Sequence, residues 1–166
     1  MKQRTVIRIA MLCAMVGIGF AFYIQLIHMG VNAPGCRVNS YVDCRLVLDS
    51  PYTAIILGIP NQIVALAGFG LVFSLGFIRL RFPDLRYSDK IIYMITGLNL
   101  FGACLGTYLQ GISVFIIHGL CPFCVSAYAC DLISVSFEST YFITRFIKKR
   151  RKARNRLLKE EFPTSS

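Results

Sequence analysis

Long uncharged apolar stretches dominate this chain and predict helices that cross a membrane. No Lys, Arg, Asp or Glu occurs at 9–35, 50–78 or 91–129. About 20 apolar residues in a helix span a bilayer, so the third stretch is too long for one crossing. Pro122 divides it, because proline lacks a backbone N–H and is best tolerated in the first turn of a helix. The pattern therefore predicts four spans, at about 6–28, 53–78, 90–118 and 122–145.

Composition agrees with an all-α integral membrane protein. The 166 residues are 55% hydrophobic and 16% charged, whereas soluble domains carry about 25% charged residues. So apolar a chain is also not disordered. The first apolar stretch has the basic start of a signal peptide, but it is longer than a usual signal core and no Ala-x-Ala site follows it, which favours a retained span.

The distribution of positive charge predicts the orientation of the bundle. The formal net charge is +10, and residues 145–159 contain nine Lys or Arg and no acidic residue. The N-terminus and the 79–90 loop are basic too, which by the positive-inside rule places both termini in the cytoplasm. We predict one four-helix transmembrane domain at 1–146 and a basic cytoplasmic tail at 147–166. This tail is interpreted as a topology anchor and not as a nucleic-acid-binding segment. Glycine pairs predict close helix packing at 17/19, 68/70 and 102/106.

This topology places four of the seven cysteines on the outer side. Cys36 and Cys44 lie in the first outer loop, and Cys121 and Cys124 lie at the outer mouth of the fourth helix. Disulfides form and persist on this oxidising side. The other three, Cys13, Cys104 and Cys130, fall within spans and are interpreted as small buried apolar residues.

The C-x-x-C motif at Cys121 begins a helix, where the helix dipole and free N–H groups stabilise a thiolate. A zinc site and a structural disulfide use the same spacing. The second pair in the same compartment, spaced C-x7-C, favours a thiol–disulfide relay. In a membrane, with no haem or nucleotide motif, a quinone is the natural electron acceptor and no metal is expected.

The fourth helix places further polar groups on the face that carries Cys124. Tyr128 lies one turn below Cys124, so its hydroxyl either hydrogen-bonds a quinone or belongs to the aromatic belt at the interface. Asp131 and Glu138 follow on this face and are expected to point into the bundle, neutral or paired, unless Glu138 lies near the cytoplasmic interface. Proton uptake through Asp131 is a hypothesis.

The chain resembles the vitamin K epoxide reductase family, in particular its prokaryotic branch. The resemblance is carried by the order and spacing of Cys36-x7-Cys44, Ser50, Gly58-Ile59-Pro60-Asn61, Cys121-Pro122-Phe123-Cys124 and Tyr128. Relatives in that branch often carry a fused thioredoxin-like domain, which this chain lacks. The resemblance therefore implies a soluble or separately anchored thioredoxin-fold partner similar to DsbA.

The resemblance also implies roles for the matching residues. Cys36 would exchange with the partner, Cys44 would pass electrons to Cys121, and Cys124 would face the quinone. Asn61 and Tyr128 match positions that hydrogen-bond quinone carbonyls, and Ser50 matches a supporting hydroxyl. The expected activity is oxidation of the partner's dithiol by menaquinone, ubiquinone or a vitamin K type quinone, in support of disulfide formation. The expected location is a bacterial inner membrane with the cysteines facing the periplasm, or alternatively the endoplasmic reticulum membrane.

Two other interpretations remain open from the sequence. A quinone-dependent oxidase of the DsbB type has a similar layout, although its C-x-x-C precedes the widely spaced pair. A non-enzymatic four-helix membrane protein would use the cysteines only to staple its loops, and its disulfides would stay fixed whatever quinone is present.

Overall fold

The computed structural model describes residues 3–31, 36, 39, 41–54, 58–82 and 88–161. In these residues the chain is all-helical, with four long helices and one short helix. The helices are α1 (Gln3–His28), α2 (Cys44–Leu48), α3 (Asn61–Arg81), α4 (Ser88–Ile112) and α5 (Pro122–Glu161). A 3₁₀ turn (Pro51–Ala54) precedes α3, and a π-helical turn (Ser113–Ile117) extends α4.

The start of α5 at Pro122 confirms the predicted division of the third apolar stretch. The predicted start of the second span at 53 is too early, because α3 begins only at Asn61. Gly58 has a φ of 75°, which a helix does not accommodate, and Pro60 then directly precedes the first helical residue. Residues 55–57 lie outside the described residues, as do 83–87 of the predicted basic loop. The predicted tail continues α5 as far as Glu161, and 162–166 lie outside the described residues.

Three helical segments are long and apolar enough to cross a membrane: Gln3–His28, Asn61–Arg81 and Lys90–Ile117. Large apolar side chains point outward from them; Phe22 and Phe77 are each 55% exposed and Phe101 is 59% exposed. Such a surface suits lipid and not water. The predicted fourth span, at the start of α5, is not among these segments, since Asp131, Glu138 and several hydroxyl side chains reduce its apolar character.

The long helices form a ring in which α1 and α4 each pack against both α3 and α5. Buried clusters follow one another along the bundle. One end joins Ile24 of α1 to Cys121 just before α5, and the other joins Val6 of α1 to Tyr141 of α5. The start of α1 thus lies beside the later part of α5, so these two helices are antiparallel. The end that contains Cys121 carries the four cysteines described below.

Small residues bring α5 close to α4. A Cβ atom at Gly106 would lie 2.6 Å from Cδ2 of Tyr128, and one at Gly102 would lie 3.0 Å from Oδ2 of Asp131. The close-packing prediction is confirmed at this pair and at Gly17, where a Cβ would lie 2.6 Å from Cζ of Phe69. It is wrong for the remaining three glycines, because no other helix among the described residues comes within 4 Å of a Cβ position there: Gly19, Gly68 and Gly70.

Candidate functional site

Four cysteines meet at one end of the bundle, and we call them the cysteine cluster: Cys36, Cys44, Cys121 and Cys124. The first three are buried in one apolar cluster, and Cys124 packs against it. Cys44 is 0% exposed and Cys121 is 1% exposed. Cys36 and Cys44 form a disulfide with a Cα–Cα distance of 5.4 Å, while Cys121 and Cys124 are free thiols. Cys44 and Cys121 are 77 positions apart in the sequence, and the fold brings them into the same buried cluster.

Local hydrogen bonds hold the disulfide against the bundle. The Cys44 N–H donates to the Cys36 carbonyl at 3.0 Å. Asp43 caps α2 by accepting from the Arg45 N–H at 2.9 Å. From the other connection, the Leu120 N–H donates to the Tyr41 carbonyl at 2.8 Å. The loop that carries the Cys36–Cys44 disulfide is therefore bonded directly to the residue before Cys121.

Gly119 permits this approach. A Cβ atom at position 119 would lie 2.7 Å from Cδ2 of Leu46 on α2. The preceding His118 adopts the left-handed conformation, with φ 52°. The Gly119 N–H donates to the Ser113 carbonyl at 3.1 Å, and the Ser113 hydroxyl donates back to the Gly119 carbonyl. These bonds fix the turn that places Cys121 beside the Cys36–Cys44 disulfide.

The first turn of α5 sets the electrostatics of the C-x-x-C pair. The Cys124 N–H donates to Cys121 Sγ at 3.4 Å. Hydrogen bonds from Cys124 lower the pKa of Cys121, although burial acts in the opposite direction. A thiol with a lowered pKa is both a ready thiolate and a good leaving group in disulfide exchange. Cys121 is therefore suited to exchange with the buried disulfide beside it.

A cavity of about 390 Å³ lies next to the cysteine cluster, inside the ring of helices. Cys124 lines it and Cys121 does not. The other predicted site residues on its wall are Ser50, Asn61 and Tyr128. Most of the wall is apolar, including Ile24, Val47, Leu48, Val64, Ala65, Phe69, Val72, Leu98, Leu105, Leu109, Ile112 and Ala127. An apolar cavity with a few polar groups is what a small ring-shaped ligand requires.

Asn61 and Ser50 belong to the wall of the cavity. Asn61 opens α3, and its Nδ2 donates to the Tyr52 carbonyl at 3.0 Å, which ties the 3₁₀ turn to the helix. Its Oδ1 is buried without a hydrogen-bond partner. The Ser50 hydroxyl donates to the Val47 carbonyl at 2.9 Å, at the end of α2. Both predicted residues thus lie on the cavity wall and also stabilise the segment around it.

Tyr128 is held by α4. Its hydroxyl lies 2.8 Å from Oγ1 of Thr107, and Thr107 Oγ1 in turn donates to the Ala103 carbonyl at 2.7 Å. Because a hydroxyl has one hydrogen, Tyr128 is the donor to Thr107. The structure thus gives the Tyr128 hydroxyl a protein partner at the edge of the cavity, which the sequence did not predict.

A buried polar group lies further along α5. Asp131 lines the cavity. Glu138 is 1% exposed, and its Oε1 accepts from Nδ2 of Asn99 on α4 at 2.7 Å. Asn99 also lines the cavity, while Oε2 of Glu138 has no hydrogen-bond partner. Glu138 therefore points into the bundle and is paired, as the sequence predicted.

The Asn99–Glu138 hydrogen bond yields a stability prediction. Asn99→Leu should lower the free energy of unfolding by about 1 kcal/mol, because it leaves a carboxyl buried between α4 and α5 without its partner. Thermal unfolding of the protein in detergent measures this. The double variant Asn99→Leu/Glu138→Leu should recover most of the loss, since both polar groups are then gone. Equal destabilisation in the single and double variants would contradict a stabilising role for the pair.

Several polar residues at this site escaped prediction from the sequence. Gln62, Asn99, Gln110 and Ser113 line the cavity, and Thr107 binds Tyr128. Gln62 adjoins Asn61 and was the easiest to find, whereas Asn99 and Thr107 belong to a helix whose pattern shows only hydrophobicity. Within the described residues, no group of three or more His, Cys, Asp or Glu side chains is placed to hold a metal ion.

The chain was compared with known proteins. The sequence model of the vitamin K epoxide reductase family matches residues 8–138, which include the cysteine cluster and most of the four long helices. No curated protein matches the chain at a significant level.

Proposed function

This chain belongs to the vitamin K epoxide reductase family, and we propose that it oxidises the dithiol of a thioredoxin-fold partner and passes the electrons through its two cysteine pairs to a quinone. Family membership and the three apolar helices make it an integral membrane oxidoreductase. The main support for this proposal is that Cys121 and Cys124 have different surroundings within the cysteine cluster. Cys121 is buried beside the outer disulfide, whereas Cys124 lines the cavity.

The relay consists of two disulfide exchanges. A partner thiolate attacks Cys36 and releases Cys44; the partner's second thiol then completes its own disulfide. Cys44 attacks Cys121, which breaks the Cys121–Cys124 bond, and Cys36 then attacks Cys44 to restore the outer disulfide. Two electrons now reside on Cys121 and Cys124. The arrangement in the structure, with an outer disulfide and two inner thiols, corresponds to this stage.

In the second half of the cycle, the Cys121–Cys124 pair is oxidised again. Cys124 and Cys121 re-form their disulfide and deliver two electrons to the quinone, which also takes up two protons and becomes a hydroquinone. The two protons lost by the partner's dithiol balance those gained by the quinone. The apolar wall of the cavity suits the quinone ring, and Asn61 and Tyr128 are proposed to bind its carbonyl oxygens. The quinone is of the menaquinone, ubiquinone or vitamin K type.

The membrane arrangement is part of the proposal. The first half of α5, at about 122–145, would form a fourth span, with both termini in the cytoplasm and the cysteine cluster on the outer side. The antiparallel packing of α1 and α5 supports an even number of crossings. The basic residues of α5 beyond 145 would anchor its cytoplasmic end, and Arg150 lies 4.5 Å over the ring of Phe146 there. The proposed membrane is the bacterial inner membrane, with a DsbA-like partner in the periplasm.

A thiol-trapping titration tests the proposal. The purified, fully reduced protein in detergent is titrated anaerobically with menadione or a short-chain ubiquinone, and its remaining thiols are alkylated. We expect the thiols of Cys121 and Cys124 to disappear in step with hydroquinone formation. If they stay reduced with every quinone, the relay has no acceptor, and disulfides that merely staple the loops become the better account.

A further inference from the structure

Gln62 is a buried polar residue that the relay does not use. It is the second residue of α3, is 6% exposed and contributes to the cavity wall. Its side-chain nitrogen Nε2 is shielded from solvent and has no hydrogen-bond partner. A buried donor without an acceptor costs free energy in the folded protein, so such a group is expected to serve a ligand or a reaction.

The neighbouring polar side chains already donate to the protein. Asn61 donates to the Tyr52 carbonyl, Ser50 to the Val47 carbonyl and Tyr128 to Thr107. The Ser50 and Tyr128 hydroxyls each have one hydrogen, so donating to a ligand would break these bonds, whereas the Asn61 amide keeps a second N–H. Gln62 has no bond to break at Nε2. Its amide is therefore a donor on the cavity wall that a ligand can use at no cost to the protein's own hydrogen bonds.

We propose that the Gln62 amide donates a hydrogen bond to a carbonyl oxygen of the bound quinone. This inference rests on the proposed function, because it names a binding residue of the same cavity. A quinone carbonyl is an acceptor without a hydrogen of its own, so it matches an N–H group in a mostly apolar wall. Gln62 then orients the ring next to Cys124 and stabilises the negative charge that builds on the oxygen as electrons arrive.

The test compares Gln62→Met, which keeps the length of the side chain and removes its hydrogen bonds, with the wild-type protein. We expect menadione to bind about 3- to 10-fold more weakly to this variant, the usual effect of losing one hydrogen bond. We also expect the infrared carbonyl band of bound ¹³C-labelled menadione to move towards its frequency in alkane solvent. Gln62→Asn, which keeps a shorter amide, should weaken binding less.

Gln25→Met is the matched control, because Gln25 also has a buried atom without a partner but does not contribute to the cavity wall. It should leave the affinity and the carbonyl band unchanged. If folded Gln62→Met binds menadione as tightly as the wild-type protein, with the same carbonyl band, the role of Gln62 is wrong while quinone reduction still stands. If the wild-type protein neither binds nor reduces a quinone, both proposals are overturned.

Discussion

Cys124→Ala should reduce the rate of quinone reduction by about 10³-fold or more, because no other thiol on the cavity wall can replace a missing redox-active cysteine. Cys124 lines the cavity, whereas Cys121 lies behind it in the cysteine cluster. Without Cys124, Cys121 has no partner for an inner disulfide, so Cys44 has no disulfide to reduce and the quinone receives no electrons. When quinone is added to the reduced variant, the Cys121 thiol should therefore stay reduced, which mass spectrometry after acid quench and alkylation detects.

Cys130→Ala provides the matched control for this experiment. Cys130 lies on the same helix as a half-buried free thiol and is not part of the cavity wall, so its loss should leave turnover unchanged. Quinone reduction at the wild-type rate in Cys124→Ala would place another group at the quinone and refute the proposed division of roles.

The pKa of Cys121 provides an independent check on the same variant. Cys124 hydrogen bonds lower this pKa, so in the wild-type protein the thiolate forms at a lower pH than an ordinary thiol allows. Removing the Cys124 thiol should raise the pKa of Cys121, and its alkylation by iodoacetamide should then require a higher pH. Alkylation with the same pH profile in both proteins would show that Cys124 does not activate Cys121.

The helices and the order of the cysteines were predictable because each depends on local sequence. Uncharged apolar stretches gave the long helices, and Pro122 marked the start of α5 because proline suits a first helical turn. The predicted start of this span, at 53, was too early because hydrophobicity alone does not distinguish a helix from a turn. There, the positive φ of Gly58 and the 3₁₀ turn decide the backbone.

Contacts between distant elements were beyond the sequence pattern. The hydroxyl of Tyr128 binds Thr107 on another helix, and Glu138 pairs with Asn99 thirty-nine residues away. The burial of the Cys36–Cys44 disulfide was equally unexpected for cysteines in a loop, since Ile24 and Ile27 of the distant helix α1 belong to the cluster around it. Only a three-dimensional arrangement shows which polar groups have partners and which, like Gln62, do not.

The burial of the Cys36–Cys44 disulfide matters for the proposed relay. Cys36 is 6% exposed and Cys44 is 0% exposed, so a protein partner of the proposed kind would not reach either sulfur in this arrangement. In the proposed relay the disulfide would become exposed for the first exchange and return to the cluster for the second. The Leu120–Tyr41 hydrogen bond is one of the contacts that such an opening would break.

Cys36→Ala should therefore affect turnover with a protein reductant more than turnover with a small dithiol. We expect turnover with reduced thioredoxin as the probe to fall to background, because the sulfur that accepts the partner is gone. Dithiothreitol should still support quinone reduction, since a loop without its disulfide gives a small dithiol easier access to Cys121. Cys104→Ala, which removes an exposed thiol outside the cysteine cluster, should leave both activities unchanged. Equal loss of both activities in Cys36→Ala would break the proposed order of the relay, because Cys36 would then be needed beyond the step that meets the partner.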